Sequence, residues 1–423
     1  MSDSLSIKVR IVLLMGVPAT KQNYNRIGMP QLSKEFDVLV IDCTNLLNRA
    51  IDHSNDEKLL FTEMVEVHSI SELRLKMESF SPQYAIDITS QTLEAKELIQ
   101  ILKDINCKLV IMQLGSLPTP NFKQRLMIEI NYKQANSNKQ SEKHFWRKWS
   151  FVKHTHRIII LREKIMGIPK RIIRIQNDKK DDYLDNTIVV AAGNKALSKK
   201  FKQCKEIIWS GSEDYHIFRK IITLNQEKSH QIILEPYILF IDENLPGASD
   251  WLLLNIPPPI TEEIYFVKLE EAFQKIEKSY NLPIVIAGHP RDQDVADYSS
   301  KFNGRKVVFM NTARLVVGSF FVVTFASTAV SFAVLGRKPI LFLSIREMSG
   351  HRYFGDAEAI AQSLGQSQIY VDDLEEALPS IFTNQIDSLR YDAYIQDYLC
   401  NKRSTEADYL QGFVEYVKKN TVA

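Results

Sequence analysis

The feature that most constrains this chain is a regular alternation of short apolar runs with longer amphipathic stretches. Such alternation is typical of βαβ units, which build parallel sheets covered by helices. In the first half the runs are residues 11–15, 38–41, 84–88, 109–112, 187–191 and 206–209. In the second half they are residues 237–242, 284–287, 307–310, 320–325, 340–343 and 369–371. The pattern predicts two Rossmann-like α/β domains.

The length supports the same division, because 423 residues are too many for one ordinary core and suit two domains of about 200 residues each. The polar run LNQEKSHQ interrupts the apolar pattern shortly before residue 236. We therefore place an N-terminal domain at residues 1–230 and a C-terminal domain at residues 231–423. Ligands of open α/β sheets bind beyond the carboxyl ends of the strands, so two facing domains predict a cleft between them.

Two apolar stripes predict helices that pack on these sheets. Leu269, Phe273, Ile276 and Tyr280 have the spacing of a helix that covers a sheet. Leu410, Phe413, Val414 and Val417 form a second stripe near the end of the sequence. The last helix is therefore expected to pack on a domain.

Charge and cysteine usage narrow the class of protein. Lys plus Arg number 53 against 51 for Asp plus Glu, so the strong positive field of a nucleic-acid binder is missing and no nucleic-acid partner is expected. The four cysteines are widely spaced and form no C-x-x-C pair, which favours a reducing compartment. The N-terminal residues lack the pattern of a signal peptide. We expect a cytoplasmic protein.

Two segments raise the question of membrane contact. Residues 315–336 carry no charge and are long enough to span a bilayer. They contain several Ser and Thr residues and divide into a β-rich part, 320–325, and a helical part, 327–335, so we favour a strand, turn and helix of the core. Residues 143–157, KHFWRKWSFVKHTHR, suit peripheral contact with the inner face of the cytoplasmic membrane. The alternative for 143–157 is a surface helix with two buried Trp.

The stretch IVIAGHPRDQD contains the first candidate site residues. His289, Pro290 and Arg291 follow a predicted strand, where a His and an Arg can hold a phosphate by charge-assisted hydrogen bonds. The alternative is a solvated loop. Asp292 and Asp294 form a D-x-D triplet, which we interpret as capping of a first helical turn. Since no other group has metal-ligand spacing, we expect no metal requirement.

The stretch FFVVTFASTAV contains the second candidate, Ser327 and Thr328, between a predicted strand and the helix that follows it. Hydroxyl residues at a helix start are commonly N-caps. The same position can also bind an anion, because free backbone N–H groups and the helix dipole point outward there. Two loops that can each hold a phosphate are thus predicted on one domain.

The order of these motifs resembles a known group of enzymes. A His-Pro pair after a strand, a Ser-Thr pair after a later strand and the sequence Gly-Arg-Lys-Pro at 336–339 are similar to the bacterial sialyltransferases and related transferases for Kdo and other nonulosonic acids. The resemblance covers the C-terminal half. It implies the GT-B fold, with two Rossmann-like domains whose parallel sheets face a cleft. It also implies a CMP-activated sugar as donor and an oligosaccharide or lipid-linked glycan as acceptor.

The resemblance assigns roles to the residues that match its motifs. His289, Pro290, Ser327 and Thr328 correspond to the residues that hold the CMP phosphate in those families. To that donor site we add Arg291 and Asn311. On the acceptor side, Lys21 and Arg26 follow the first predicted strand, where they could equally belong to a solvated turn.

Those families also carry a pair of acidic residues, often followed by Gly, of which this sequence has no clean copy. The two candidates are Asp242-Glu243 in FIDENLPG and Glu213-Asp214 in WSGSEDYH. An inverting transfer needs a carboxylate that accepts the proton of the acceptor hydroxyl. We favour Glu243 as this base, with Asp242 orienting the loop. The alternative for the Asp242-Glu243 pair is a helix N-cap followed by a solvated Glu.

The choice of nucleotide follows from a missing carboxylate. UDP-sugar enzymes of the GT-B type usually carry an Asp or Glu on the helix after the later phosphate loop, where it binds the ribose. No Asp or Glu occurs between Asp297 and Glu347, which favours CMP. Two alternatives remain open: a UDP-sugar enzyme, either a transferase or a 2-epimerase, and a non-catalytic protein that binds a nucleotide or a sugar.

Overall fold

The structure is a computed structural model of the chain. It describes the following residues: 8–16, 28–47, 64–88, 95–121, 125, 183–227, 233, 235–248, 251, 257–293, 295–381, 386–404 and 410–421.

Seven parallel strands form the N-terminal sheet. They are β1 (Arg10–Met15), β2 (Asp37–Asp42), β3 (Met64–Glu66), β4 (Tyr84–Ile88), β5 (Lys108–Gln113), β6 (Thr187–Ala191) and β7 (Glu206–Trp209). Their order in the sheet is β3-β2-β1-β4-β5-β6-β7, and every neighbouring pair is parallel. The strands β2 and β3 thus lie on one side of β1 and the strands β4 to β7 lie on the other, so the strand order reverses between β1 and β4.

Three helices of the N-terminal half are described, α1 (Met29–Glu35), α2 (Ile70–Phe80) and α3 (Ala95–Asp104). Alternate residues of β1 point to opposite faces of the sheet. Val12 packs in the cluster that contains residues of α2 and α3, whereas Leu13 packs in the cluster that contains residues of α1. Because both faces are covered, β1 is a continuous apolar run.

Six parallel strands form the C-terminal sheet. They are β8 (Ile238–Ile241), β9 (Ile284–Ala287), β10 (Val307–Val308), β11 (Val322–Thr324), β12 (Ile340–Ser344) and β13 (Ile369–Tyr370). Their order is β10-β9-β8-β11-β12-β13, and every neighbouring pair is parallel. The remaining helices are α4 (Glu213–Glu227), α5 (Glu262–Tyr280), α6 (Thr312–Gly318), α7 (Val330–Leu335), α8 (Arg352–Ser363), α9 (Leu374–Ile381), α10 (Ser388–Tyr394) and α11 (Gln411–Thr421).

Both sheets share one topology, in which the first strand lies in the middle and the third and fourth strands lie on opposite sides of it. This is the order of the Rossmann fold. The prediction of a two-domain α/β protein of the GT-B type is confirmed. All twelve predicted strands are present with small differences at their ends, and the sequence reasoning missed only β3 among the described strands.

Two helices pack across the predicted boundary at residue 230. Helix α4 follows the last strand of the N-terminal sheet, yet its Phe218 lies in the core of the C-terminal domain. Helix α11 ends the described chain, yet its Phe413 and Val417 lie in the core of the N-terminal domain. The expectation that the last helix packs on a domain is therefore confirmed, and the two domains exchange one helix in each direction.

Residues 315–336 belong to three separate elements, namely the end of α6, the strand β11 and the helix α7. Val316, Val322 and Val334 from these elements are all fully buried in one core. Within the described part of the chain, no helix is both long and apolar enough to cross a membrane.

Candidate functional site

The carboxyl ends of three neighbouring strands of the C-terminal sheet form the candidate site. Strand β8 lies between β9 and β11, and the strand order reverses at this point. Asp242 and Glu243 follow β8, Gly288 and His289 follow β9, and Ala326 lies in the loop after β11. Because the strands are parallel, all three loops leave the sheet at the same edge, where open α/β sheets bind their ligands.

Glu243 joins the loops that follow β8 and β11. Its Oε1 accepts a hydrogen bond of 2.7 Å from the backbone N–H of Ala326 and a longer one of 3.4 Å from the hydroxyl of Thr324. Its Oε2 accepts a hydrogen bond from the hydroxyl of Tyr353. Burial raises the pKa of Glu243 to about 7, and the bond from Tyr353 opposes this rise. Such a carboxyl group can take up or release a proton near neutral pH.

Asp242 is buried, with a relative exposure of 2%, and its oxygens have several partners. Oδ1 accepts hydrogen bonds from the backbone N–H of Asn244 and the hydroxyl of Tyr265, both at 3.0 Å. Oδ2 accepts a hydrogen bond from the hydroxyl of Tyr298. Burial raises the pKa of Asp242, whereas these hydrogen bonds lower it. The contacts fix the start of the loop that carries Glu243.

The loop after β9 is tied to the loop after β8. Asn244 donates a hydrogen bond of 2.9 Å from Nδ2 to Oδ1 of Asp292, and the other oxygen of Asp292 lies 3.7 Å from Nδ1 of His289. Asp292 is buried in the short 3-10 helix Pro290–Asp292. Asp292 therefore links His289 to the neighbouring loop.

Asn311 lies beside this loop because β10 pairs with β9. The backbone N–H of Gly288 donates to the carbonyl of Val308 at 3.0 Å, and Asn311 donates from Nδ2 to the carbonyl of Phe309 at 3.1 Å. A Cβ atom at Gly288 would lie 2.5 Å from the ring of Phe309. The absence of a side chain at Gly288 thus allows the two loops to approach each other.

Ser327 and Thr328 lie in a turn, and helix α7 begins only at Val330. The hydroxyl of Ser327 accepts a hydrogen bond of 3.2 Å from the backbone N–H of Ala329, and the carbonyl of Thr328 accepts one of 2.9 Å from the hydroxyl of Ser331. Ser327 and Thr328 therefore lie between β11 and α7, as predicted, whereas the helix begins three residues later than the predicted helical part 327–335. The physical reason is that this loop is organised by its own turn and by the carboxylate of Glu243, not by a helix that begins at Ser327.

Glu213 and Asp214 occupy the first turn of α4, where negative charge is favoured by the helix dipole. They follow β7, the edge strand of the N-terminal sheet, through Ser210, Gly211 and Ser212. The two acidic pairs therefore lie at the ends of different sheets. The structure joins Asp242 and Glu243 to the loops that carry His289 and Ser327, and it places Glu213 and Asp214 on the helix that passes between the domains.

Several predicted residues lie outside the described part of the chain. They are Lys21, Arg26, Asp294 and residues 143–157, and the side chain of Arg291 is also outside it. Within the described residues, no group of three or more His, Cys, Asp and Glu is arranged to hold a metal ion. An open cleft of about 710 Å³ lies at the amino end of the C-terminal sheet, between Tyr237 and Arg305. That is the end opposite the candidate site.

Sequence reasoning missed Tyr353, which binds Glu243, and also His351 and Trp251, which pack around Tyr353. Trp251 packs edge-to-face against His351 and Tyr353, with ring centroids 5.3 Å and 5.9 Å apart. Tyr353 lies in the first turn of α8, which follows β12. The sequence signal that could have indicated Tyr353 is its position after β12. His289 and Ser327 likewise lie in segments that follow strands of the same sheet.

Neither the protein-family models nor the curated proteins gave a match to this chain. Several solved structures are similar to it over nearly the whole length. A UDP-GlcNAc 2-epimerase from Methanocaldococcus jannaschii has 10% identity and a TM-score of 0.45, with 98% of this chain and 100% of that chain covered. MurG from Acinetobacter baumannii has 9% identity and a TM-score of 0.44, with 97% and 99% covered. The glycotransferase of kitacinnamycin has 10% identity and a TM-score of 0.46, with 97% and 98% covered.

Proposed function

We propose that this chain is a glycosyltransferase that moves a nonulosonic acid, such as a sialic acid-like sugar or Kdo, from CMP to a glycan acceptor. The observation that carries the proposal is the position of Glu243. Its carboxyl group lies between the loops after β8 and β11, at the point where the strand order reverses, and its pKa is raised to about 7 by burial. A group that changes its charge near neutral pH suits a general base.

In the proposed reaction, Glu243 accepts the proton of an acceptor hydroxyl while that oxygen attacks the anomeric carbon of the sugar. The bond between the anomeric carbon and the phosphate oxygen breaks, and CMP leaves with the electron pair. Asp242 does not exchange the proton, because it is buried beneath the loop and bound by Tyr265 and Tyr298. Its part is to orient the loop that carries Glu243.

The leaving CMP gains negative charge as the bond breaks, and the loops on both sides of β8 supply groups that can stabilise it. His289 lies on the β9 side, in a loop held by Asp292, and Asn311 lies beside it. Ser327 and Thr328 lie on the β11 side. Donors that are already in place for charge developing in the transition state are an effective source of rate enhancement. We propose Pro290 and Arg291 as further members of the donor site.

The preference for CMP rests on helix α7, which follows the turn at Ser327. Its sequence, Val330–Leu335, is VSFAVL and contains no carboxylate for the ribose hydroxyls. A UDP-sugar enzyme, either a transferase or a 2-epimerase, is the second candidate, because a carboxyl group with the properties of Glu243 suits proton transfer in either reaction. We further propose that no metal is required and that residues 143–157 bring the enzyme to an anionic membrane surface, where lipid-linked acceptors reside.

The reaction itself separates these candidates. The purified protein is incubated with CMP-sialic acid, CMP-Kdo or UDP-GlcNAc and a panel of oligosaccharide acceptors, with excess EDTA, and nucleotide release and sugar configuration are followed by NMR. We expect release of CMP from a CMP-sugar in wild type and a large loss in Glu243→Gln. Conversion of UDP-GlcNAc at carbon 2 would favour the second candidate. Nucleotide binding without turnover of any donor would indicate a non-catalytic binding protein, and activity that requires added magnesium or manganese would contradict the metal-free site.

A further inference from the structure

The side chain of Tyr353 reaches Glu243 from a third element, the first turn of α8. Its hydroxyl donates a hydrogen bond to Oε2 of Glu243, the oxygen that Ala326 and Thr324 leave free. Glu243 therefore has one oxygen bound by the β11 segment and the other bound by the first turn of α8. The direction of its carboxylate is set by two elements that follow different strands.

Tyr353 is itself anchored by His351. The backbone N–H of Tyr353 donates a hydrogen bond of 3.1 Å to Nδ1 of His351, which is the N-cap residue of α8. Nε2 of the same ring lies 3.1 Å from the carbonyl of Pro257. A ring nitrogen that faces a carbonyl must donate and one that faces an N–H must accept, so these contacts assign the neutral ring with its proton on Nε2.

Trp251 supports both residues from the β8 side. Its ring meets His351 and Tyr353 edge-to-face at interplanar angles of 88° and 84°. Its Nε1 donates a hydrogen bond of 2.6 Å to the carbonyl of Leu245, two residues after Glu243. Trp251 thus contacts the loop that carries Glu243, and Tyr353 contacts Glu243 itself. The packing of Trp251 and His351 around Tyr353 restricts rotation of its side chain.

We propose that Tyr353 is a positioning residue for Glu243. Its hydroxyl fixes the carboxylate in the crevice at the carboxyl ends of β8, β9 and β11, and His351 and Trp251 fix the position of Tyr353. The inference rests on the proposed role of Glu243 as the base. The inference does not depend on the contacts of Glu213 or Asp214.

The charges around Glu243 give this arrangement a measurable consequence. Asp242 faces Glu243 from the loop after β8 and Tyr265 faces it from α5. Thr324 faces it from β11, and Tyr353 faces it from α8. Burial and the charge of Glu243 raise the pKa of Tyr353, so the phenol stays protonated and remains a donor. Because this bond stabilises the ionised carboxylate, it lowers the pKa of Glu243 against the effect of burial. Its loss must raise that pKa further.

The test is Tyr353→Phe, with the titration of Glu243 followed by carbon-13 NMR of labelled glutamate carboxyl groups in the ligand-free protein. The Glu243 signal is assigned by its loss in Glu243→Gln. We expect the midpoint to rise by about one pH unit, the size expected when one hydrogen bond to a charged group is lost. The acidic limb of kcat/KM should move by the same amount. The matched control is Tyr391→Phe, which deletes another buried phenol hydroxyl. That hydroxyl donates a hydrogen bond of 2.9 Å to the carbonyl of Lys338. The titration midpoint of Glu243 in this control should equal that of wild type.

An unchanged midpoint in a folded Tyr353→Phe protein overturns the inference. If this variant does not fold, the pair His351→Ala and His351→Asn replaces it. The alanine removes the acceptor that holds the backbone of Tyr353 and should raise the midpoint, whereas asparagine keeps an acceptor at the N-cap and should restore it. Equal midpoints in both His351 variants and wild type would also overturn the inference. Since the titration needs no sugar nucleotide, its result is separate from failure of the proposed transferase activity.

Discussion

Oε1 of Glu243 accepts a hydrogen bond of 2.7 Å from the backbone N–H of Ala326, so a side chain after β8 holds the loop after β11. The two strands are neighbours on either side of the point where the order of the sheet reverses. A carboxylate at this place is close to any ligand that enters the crevice. It also shapes the loop that carries Ser327 and Thr328.

Replacement of Glu243 by Gln should lower turnover by roughly 100-fold or more, because a positioned general base contributes a factor of this size. The affinity for CMP should change little. Since the wild-type base must be ionised, activity should rise with pH through about 7, and the variant should lose this limb. Steady-state kinetics from pH 5 to 9 and calorimetric titration with CMP measure both quantities. Near wild-type turnover in this variant, with loss in Glu213→Ala or Asp214→Ala, would place the base in the first turn of α4.

Replacement of His289 by Ala should lower kcat by roughly 100-fold, with a smaller loss of CMP affinity. The reason is that charge on the leaving phosphate grows in the transition state, so a group that holds it matters more there than in the ground state. Steady-state kinetics and calorimetry on the same preparation give the two numbers. An equal loss in kcat and in CMP affinity, or none in either, would remove His289 from the proposed role.

The raised pKa of Glu243 predicts how stability depends on pH. Burial moves this pKa from 4.5 to about 7, so the folded state binds more protons than the unfolded state between these values. The contribution of Glu243 to the free energy of unfolding is therefore fully present below about pH 4.5. It falls by roughly 3 kcal/mol as the pH rises through 7. Urea unfolding of wild type and Glu243→Gln at several pH values measures the difference, which should favour the variant increasingly toward pH 8. A pH-independent difference would contradict the assigned burial.

Gly288→Ala should destabilise the protein by about 1–3 kcal/mol, since the added methyl group would lie 2.5 Å from the ring of Phe309 and must displace it. Gly115→Ala is the matched control, because a Cβ atom there has no described neighbour within 4 Å. Thermal unfolding of both variants and of Gly288→Ala combined with Phe309→Leu checks the contact. Recovery of stability in the double variant, relative to Phe309→Leu alone, is expected; equal effects of Gly288→Ala and Gly115→Ala would contradict it.

The fold was predictable because buried parallel strands are continuous apolar runs, as the run before Gly16 illustrates. Strand β3, Met64–Glu66, escaped prediction because an edge strand of three residues has too little apolar periodicity. The exchange of α4 and α11 between the domains also escaped it. An amphipathic stripe shows that a helix packs on a core, but the stripe does not say which core it covers.

The candidate site was predictable in part. Asp242, Glu243 and His289 stand directly after apolar runs, so their place at the carboxyl edge of the sheet followed from the strand assignment. The position of Tyr353 at the helix start after β12 was the one available signal, but eight residues separate it from the end of β12 and its approach to Glu243 depends on how α8 packs. The pKa of Glu243 was not predictable, since it results from burial in the assembled crevice.

The most direct test of the central claim is a calorimetric titration of the wild-type protein with CMP, UDP and GDP in the presence of EDTA. We predict that CMP binds, that UDP and GDP bind much more weakly, and that His289→Ala and Glu243→Gln still bind CMP. Preferential binding of UDP would contradict the assigned donor. Failure of all three nucleotides to bind would contradict the assignment of the crevice between β8, β9 and β11 as a nucleotide-sugar site.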